Sequence, residues 1–366
     1  MPRTYARRCL QVGATALGAV ALVAGTAPGA VAADSVRKPA VSGLANPGVV
    51  QDVEAGRWVI HGTGSWDSHS VSVSSTASAS SSYGKVAKRR LLKKGTAPSW
   101  MGSISSEGKE DHSIWAPSVT RSASGTYVAY FAVTVKKAGS ARCIGTGTGP
   151  SAQGPFTASP RALACWKGSG ASPVDQIRSE GTRFSLIDPT PVRLSSNELV
   201  LTYKTQIRKS GKWHTTTRLV RLDPNDPTRT APNPAHADGG SIRISDKTHQ
   251  YIEENPVLAK RGGTYTLFTS FGWYGTCNYI TRYHQTKSLW SSKAWLKARS
   301  TDLPFFKGLN TCGRGNAQVV GTGGDKWLIY FNGHASRTST PGGPKNLYVK
   351  ALRWKSGKPY VANARS

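Results

Sequence analysis

The chain has 366 residues, with 48 Lys and Arg against 19 Asp and Glu, and a formal net charge of +29. Nowhere is an apolar period of 3.6 residues sustained, which excludes a helical bundle or coiled coil. Beyond the N-terminal region no stretch is apolar enough to span a bilayer.

Arg3, Arg7 and Arg8 precede an apolar run from Ala14 to Gly25, and Ala30-Val31-Ala32 offers a small-residue cleavage site. Residues 1–33 therefore read as a secretory signal peptide, too short in its apolar part for an anchor. The expectation is an exported, extracellular protein that carries +26 once the three arginines leave with the leader. Residues 34–43 read as a linker, and 44–366 as one domain.

One pattern recurs five times along that domain. A Pro or Ala anchor (Pro47, Pro117, Pro189, Pro256, Ala317) leads into a β-branched run and a turn, and a second strand opens at Trp58, Tyr127, Leu199, Tyr265 or Trp327. The anchors lie 70, 72, 67 and 61 residues apart. Two strands joined by a tight turn and reset at a near-constant period read as the inner hairpin of a propeller blade. The expected fold is all-β, a five-bladed β-propeller with very little helix.

Cys9 falls in the leader, which leaves Cys143, Cys165, Cys277 and Cys312. An even number in an exported chain points to two disulfides. Three pairings are open; repeat position favours Cys143 with Cys165 and Cys277 with Cys312. No close CxxC spacing points to a metal. The densest basic run is Lys85, Lys88, Arg89, Arg90, Lys93 and Lys94. It reads either as a solvated outer strand or as a surface for an anionic polymer such as a cell-wall polyanion. No aromatic residues interleave with it as nucleic-acid stacking would require, so no nucleic-acid partner is expected.

If the anchors open the innermost strands, the residues just before them gather at one end of the central channel. Asp188, in Leu186-Ile187-Asp188-Pro189, and Glu254, in Glu253-Glu254-Asn255-Pro256, would then face one cavity. Two carboxyls from different blades suit glycosidic-bond cleavage, with Glu254 the better proton donor because of its longer reach. Trp66, Trp115 and Trp273 are the aromatics expected at the mouth, where they could stack on sugar rings.

The set Trp115-Ala116-Pro117, Ile187-Asp188-Pro189, Glu254-Asn255-Pro256 and Gly313-Arg314-Gly315-Asn316, in this order, resembles glycoside hydrolase family 43, the five-bladed propellers that include arabinanases, arabinofuranosidases and β-xylosidases. The resemblance covers the mature chain and implies an inverting hydrolase, a monomer acting on pentose-containing polysaccharide such as arabinan or arabinoxylan. It gives Glu254 the role of general acid and Asp188 that of the residue that orients it and tunes its pKa. The family's base, an Asp in the first blade, falls on Asn46, whose neutral amide cannot take a proton from water. Either Asp52, Asp67 or Asp111 substitutes, or hydrolysis is slow, or the chain binds glycans without cleaving them. The fifth-blade position held by His in many relatives is Asn316, a further substrate-binding candidate. No cofactor is required by the resemblance, which leaves room for a calcium ion at the channel centre.

Overall fold

The computed structural model describes residues 39–63, 70–80, 83–102, 114–136, 138–171, 175–177, 184–248, 252–309, 311–334 and 345–363. The leader and Trp66, Asp67 and Asp111 lie outside them. The described chain forms five sheets arranged as a five-bladed β-propeller.

A short strand β1 (Val41–Ser42) comes first, followed by blade 1 with β2 (Gly48–Asp52), β3 (Arg57–Gly62), β4 (Ser70–Thr76) and β5 (Ala87–Arg90). Blade 2 has β6 (Trp115–Arg121), β7 (Tyr127–Thr134) and β8 (Arg142–Gly149), extended by β9 (Thr157–Ala158), β10 (Ala164–Trp166) and β11 (Asp175–Ile177). Blade 3 has β12 (Ser185–Ser195), β13 (Glu198–Lys209), β14 (Lys212–Leu222) and β15 (Ile242–Thr248). In blade 4, β16 (Glu253–Arg261), β17 (Thr264–Phe271) and β18 (Ile280–Thr286) are followed by a helix, α1 (Ser292–Lys297), and β19 (Thr301–Asp302). Blade 5 has β20 (Cys312–Gly323), β21 (Lys326–His334), β22 (Lys345–Lys355) and β23 (Lys358–Val361). The second strands thus open within one residue of the positions read from the repeat.

The innermost strands β2, β6, β12, β16 and β20 neighbour one another in a closed ring. Closure uses both chain ends, because β1 pairs antiparallel with β22 of blade 5. Val41–Ser42, read as linker from the sequence, is therefore part of the fifth sheet. The hydroxyls of Tyr83 and Tyr330 meet at 3.1 Å across the same seam, over a cluster that joins Leu44 and Ile60 to Leu328 and Leu347.

The apolar core is a series of layers between blades. One cluster runs from Val50 and Val59 through Phe131 and Ile144 to Leu201, and others fill the seams of blades 3 to 5. Every residue of β7 is buried. A middle strand covered by a neighbouring blade on each face has no solvent side, which is why its sequence shows no apolar–polar alternation. Both expected disulfides form, with Cα–Cα distances of 4.8 Å: Cys143–Cys165 within blade 2, and Cys277–Cys312 between the loop after β17 and the start of β20.

Candidate active site

The residues that precede the five anchors share one backbone conformation. Asn46, Ala116, Asp188, Asn255 and Asn316 have φ of 51°, 44°, 58°, 50° and 51°. This left-handed region is tolerated best by Asn and Asp among residues with a side chain and is costly for Ala. In blades 2 to 5 the residue sits in a β-bulge, where the strand pairing slips by one between Trp115 and Ser118, Ile187 and Thr190, Glu254 and Val257, and Gly315 and Gln318. The proline that follows in blades 2 to 4 has no N–H to leave unpaired at the slip. All five residues line one pocket at the end of the channel, with Ser118, Thr190 and Gln318 below them. Five strained residues converging on one cavity is the pattern of a functional site.

Opposite the bulges stands a second ring, five residues after each second-strand opening: Thr63, Ala132, Lys204, Ser270 and Asn332. Each polar member reaches into the next blade. Thr63 Oγ1 accepts from Ala116 N at 3.1 Å, Ser270 Oγ from Asn316 N at 2.7 Å, and Asn332 Oδ1 from Asn46 N at 3.0 Å. Lys204, with its side chain 1% exposed, instead places Nζ 2.7 Å from Glu254 Oε2. The left-handed residue of blade 4 takes another partner: Asn255 N donates to Asp188 Oδ2 at 3.1 Å. Asp188 is thereby fixed one peptide unit from Glu254.

Glu254 accepts hydrogen bonds at both carboxylate oxygens, from Lys204 and from the Tyr279 hydroxyl at 2.6 Å. An acceptor at both oxygens has no proton to give in this arrangement. Burial, and next the charge of Glu254, push the Tyr279 phenol well above the ordinary tyrosine range, so it stays protonated. The same hydroxyl accepts from Asn255 Nδ2 at 2.9 Å and contacts Asn316 Oδ1. A side chain at Gly315 would run into the Tyr279 ring.

Asn46 occupies the blade 1 position equivalent to Asp188. Its Nδ2 donates to Thr63 Oγ1 at 2.8 Å, and its Oδ1 accepts from Asn316 Nδ2. Of the acids considered in its place, Asp52 is at the far end of β2, buried and paired with Arg57. Six residues of strand, about 20 Å, separate it from Asn46. Asp52 serves the turn and cannot act at the pocket.

Asn316 is 2% exposed, and its amide is engaged by Asn46, Asn255, Asn332 and Tyr279. It braces the pocket floor between blades. Calcium takes six to eight oxygen ligands. Among the described residues no group of three or more His, Cys, Asp or Glu converges, and the amide oxygens of Asn46 and Asn316 already accept hydrogen bonds. Among the described residues the channel centre offers a calcium ion no cluster of carboxylate or imidazole donors.

Trp115 is half-buried, one face covered by the Arg142 guanidinium 3.6 Å from its ring centre. It is not an open platform on both faces. Trp273 is 46% exposed, lies against Tyr274, and belongs to the loop that Cys277–Cys312 ties to blade 5. Glu253 turns away from the pocket, as strand alternation requires. It accepts from Thr269 at 2.8 Å, from His284 at 2.9 Å and from Ser245. Burial alone would raise its pKa; His284 and the two hydroxyls outweigh burial and hold it below the ordinary carboxylate value.

Against this geometry, the family model described as glycosyl hydrolases family 43 matches residues 89–359. The chain belongs to glycosyl hydrolase family 43. Solved structures share the fold of this family 43 member at low identity. A thermostable family-43 glycoside hydrolase is 15% identical over 89% of this chain and 95% of its own, with a TM-score of 0.64. An endo-arabinase from Bacteroides thetaiotaomicron is 13% identical over 88% and 99%, with a TM-score of 0.57. A Cellvibrio cellulosa α-L-arabinanase mutant is 15% identical over 88% and 96%, with a TM-score of 0.58. No curated protein matches the chain in sequence. Lys204, Tyr279 and the ring of Thr63, Ser270 and Asn332 are what sequence reading missed. The ring had a signal, a constant offset of five from each second-strand opening; Tyr279, in a loop outside the repeat, had none.

Proposed function

We propose that this family 43 glycoside hydrolase is exported and acts on pentose-containing polysaccharide, arabinan or arabinoxylan, by an inverting route in which Glu254 protonates the leaving oxygen. The observation that carries this reading is the junction at Asn255: its N–H holds Asp188, which lines the pocket, beside the peptide of Glu254, so two carboxyl-bearing residues from different blades are linked at the pocket's edge. The arabinanase titles among the structural neighbours favour the substrate class. Asp188 orients Glu254, and Trp273 with Tyr274 offers an aromatic surface to sugar rings. The leader read in residues 1–33 supports export.

Turnover is slow by construction. Asn46 cannot deprotonate water, and loss of a general base costs on the order of 10² to 10⁴ in rate. Lys204 adds to this, since Glu254 must take up a proton against a neighbouring ammonium before it can give one. The same two observations favour a second reading, a site that retains glycans and rarely cleaves them. Hydrolysis of aryl arabinofuranosides and xylosides by wild type and Glu254→Gln tests the choice. A wild-type rate above the variant supports hydrolysis; equal rates, with arabinan still bound, leave the retention reading.

A further inference from the structure

The basic run that the channel chemistry does not use has a defined place: it is the outer edge of blade 1 and the segment that leaves it. β5 is the last strand of its sheet, in the order β2-β3-β4-β5, and all four of its residues are exposed. Lys85, Lys88, Arg89, Arg90, Lys93 and Lys94 all point into solvent, while Leu91 and Leu92 beside them are buried and hold the segment against blade 2. None of the six makes an ion pair among the described residues. Arginines at the surface of blades 3 and 4, exposed or half-buried, behave differently: Arg243 pairs with Asp246, Arg261 with Asp325 and Arg282 with Asp302. The sequence explains the contrast, because no Asp or Glu occurs between Asp67 and Glu107 or between Asp111 and Asp175. A run of exposed cations with no ion-pair partner among the described residues raises the local concentration of a polyanion.

We infer that this strip is a docking surface for a uronate-bearing acidic polysaccharide. Lys88, Arg89 and Arg90 lie on β5, and Lys85, Lys93 and Lys94 on the segments that enter and leave it, so the charges are spread along the chain. They do not converge on a point as groups that clamp a single phosphate do. A stiff polymer with one carboxylate per sugar meets such a run at less ordering cost than a flexible phosphodiester chain, and its planar carboxylates match the guanidinium fork of Arg90, which shares a strand face with Lys88. Nucleic acid would need stacking aromatics, and the strip has none. Holding an acidic matrix at the blade edge keeps neutral pentose chains of that matrix at high effective concentration near the pocket. Only the choice of a polysaccharide partner rests on the function proposed above; the binding measured below involves no hydrolysis.

The test is binding of the full mature chain to polygalacturonate across a salt series, with neutral arabinan and inorganic polyphosphate of matched charge as comparators. Two variants with equal loss of charge are compared: Lys88→Gln/Arg89→Gln/Arg90→Gln on the strip, and Lys287→Gln/Lys293→Gln/Lys297→Gln on exposed positions around α1. The expected result is salt-sensitive binding to polygalacturonate that falls roughly tenfold or more in the strip variant and less than twofold in the other, with unchanged melting temperatures. Equal losses in the two variants would reduce the effect to net charge and overturn the inference. So would undiminished binding by the strip variant, or tighter binding to polyphosphate than to polygalacturonate.

Discussion

Lys204 Nζ lies 2.7 Å from Glu254 Oε2, the lysine side chain 1% and the glutamate 14% exposed, so the carboxyl assigned to proton donation is held against a fixed cation from the preceding blade. An adjacent cation favours the charged form of a carboxyl, and its removal favours the protonated one. Lys204→Met is expected to move the alkaline limb of the pH–rate profile to higher pH, while Lys204→Arg leaves it near its original position. Stability falls by about 1–3 kcal/mol in Lys204→Met, less than for a fully buried pair because water still reaches Glu254. A lysine that only supports the fold would lower the rate at every pH alike, and that profile would refute the assignment.

Asn46→Asp is the complementary change. The new side chain is isosteric, and Asp is tolerated at a φ of 51° nearly as well as Asn. Its partners can adapt: Asn316 Nδ2 continues to donate to one oxygen, and the Thr63 hydroxyl, which accepts from Asn46 Nδ2 at 2.8 Å, can turn and donate to the other. We expect kcat/KM on aryl pentosides to rise by roughly 10² to 10⁴. Adding Glu254→Gln should remove the gain. A folded Asn46→Asp protein with no gain would show that the blade 1 position does not face the attacking water.

These two residues mark where the sequence was legible. The blade plan could be read because each blade repeats an anchor, a β-branched run and a turn, and local geometry enforces the repeat. Asp188, Asn46 and Asn316 could be placed from it because they precede anchors. Glu254 stands one residue earlier, opposite Ser270 and beside the bulge, so the left-handed position of blade 4 belongs to Asn255. What Lys204 touches was not legible, because its partner lies 50 residues away in the next blade and depends on how the ring closes. Val41–Ser42 was read as linker for the same reason: its partner β22 lies at the other end of the chain.

His61 gives the fold an acid sensitivity of its own. It is fully buried between blades 1 and 2, with Nε2 2.7 Å from Ala152 O and Nδ1 without a hydrogen-bond partner among the described residues. Burial drives its pKa from 6.5 down to about 4, although the bond to Ala152 works in the other direction. The unfolded chain therefore binds the proton first as pH falls. The neutral-histidine contribution is complete above about pH 6.5 and is lost on the way to pH 4, a change of about 3 kcal/mol. His61→Gln keeps an N–H donor for Ala152 and does not titrate. Urea unfolding at pH 7.0 and 4.5 should show a smaller difference in the variant than in wild type. An unchanged difference would place the acid sensitivity elsewhere, with the Glu253–His284 pair the next place to look.

Gly315 is required by Tyr279. A Cβ there would enter the Tyr279 ring, the ring that carries the hydroxyl bonded to Glu254, whereas a Cβ at Gly56 would meet nothing within 4 Å. Gly56 has a φ of +61°, so an alanine there is strained only by its backbone. Gly56→Ala is expected to cost about 1 kcal/mol and leave kinetics unchanged. Gly315→Ala should cost about 1–3 kcal/mol through overpacking. It should also lower kcat by displacing the donor on Glu254, with a smaller effect on KM because Trp273 and Tyr274 lie outside the displaced contact. Thermal unfolding and steady-state kinetics on one aryl pentoside separate the two effects. If Gly315→Ala lost stability but kept its kcat, the Tyr279 hydroxyl would be a brace of the fold with no part in holding Glu254 for proton transfer.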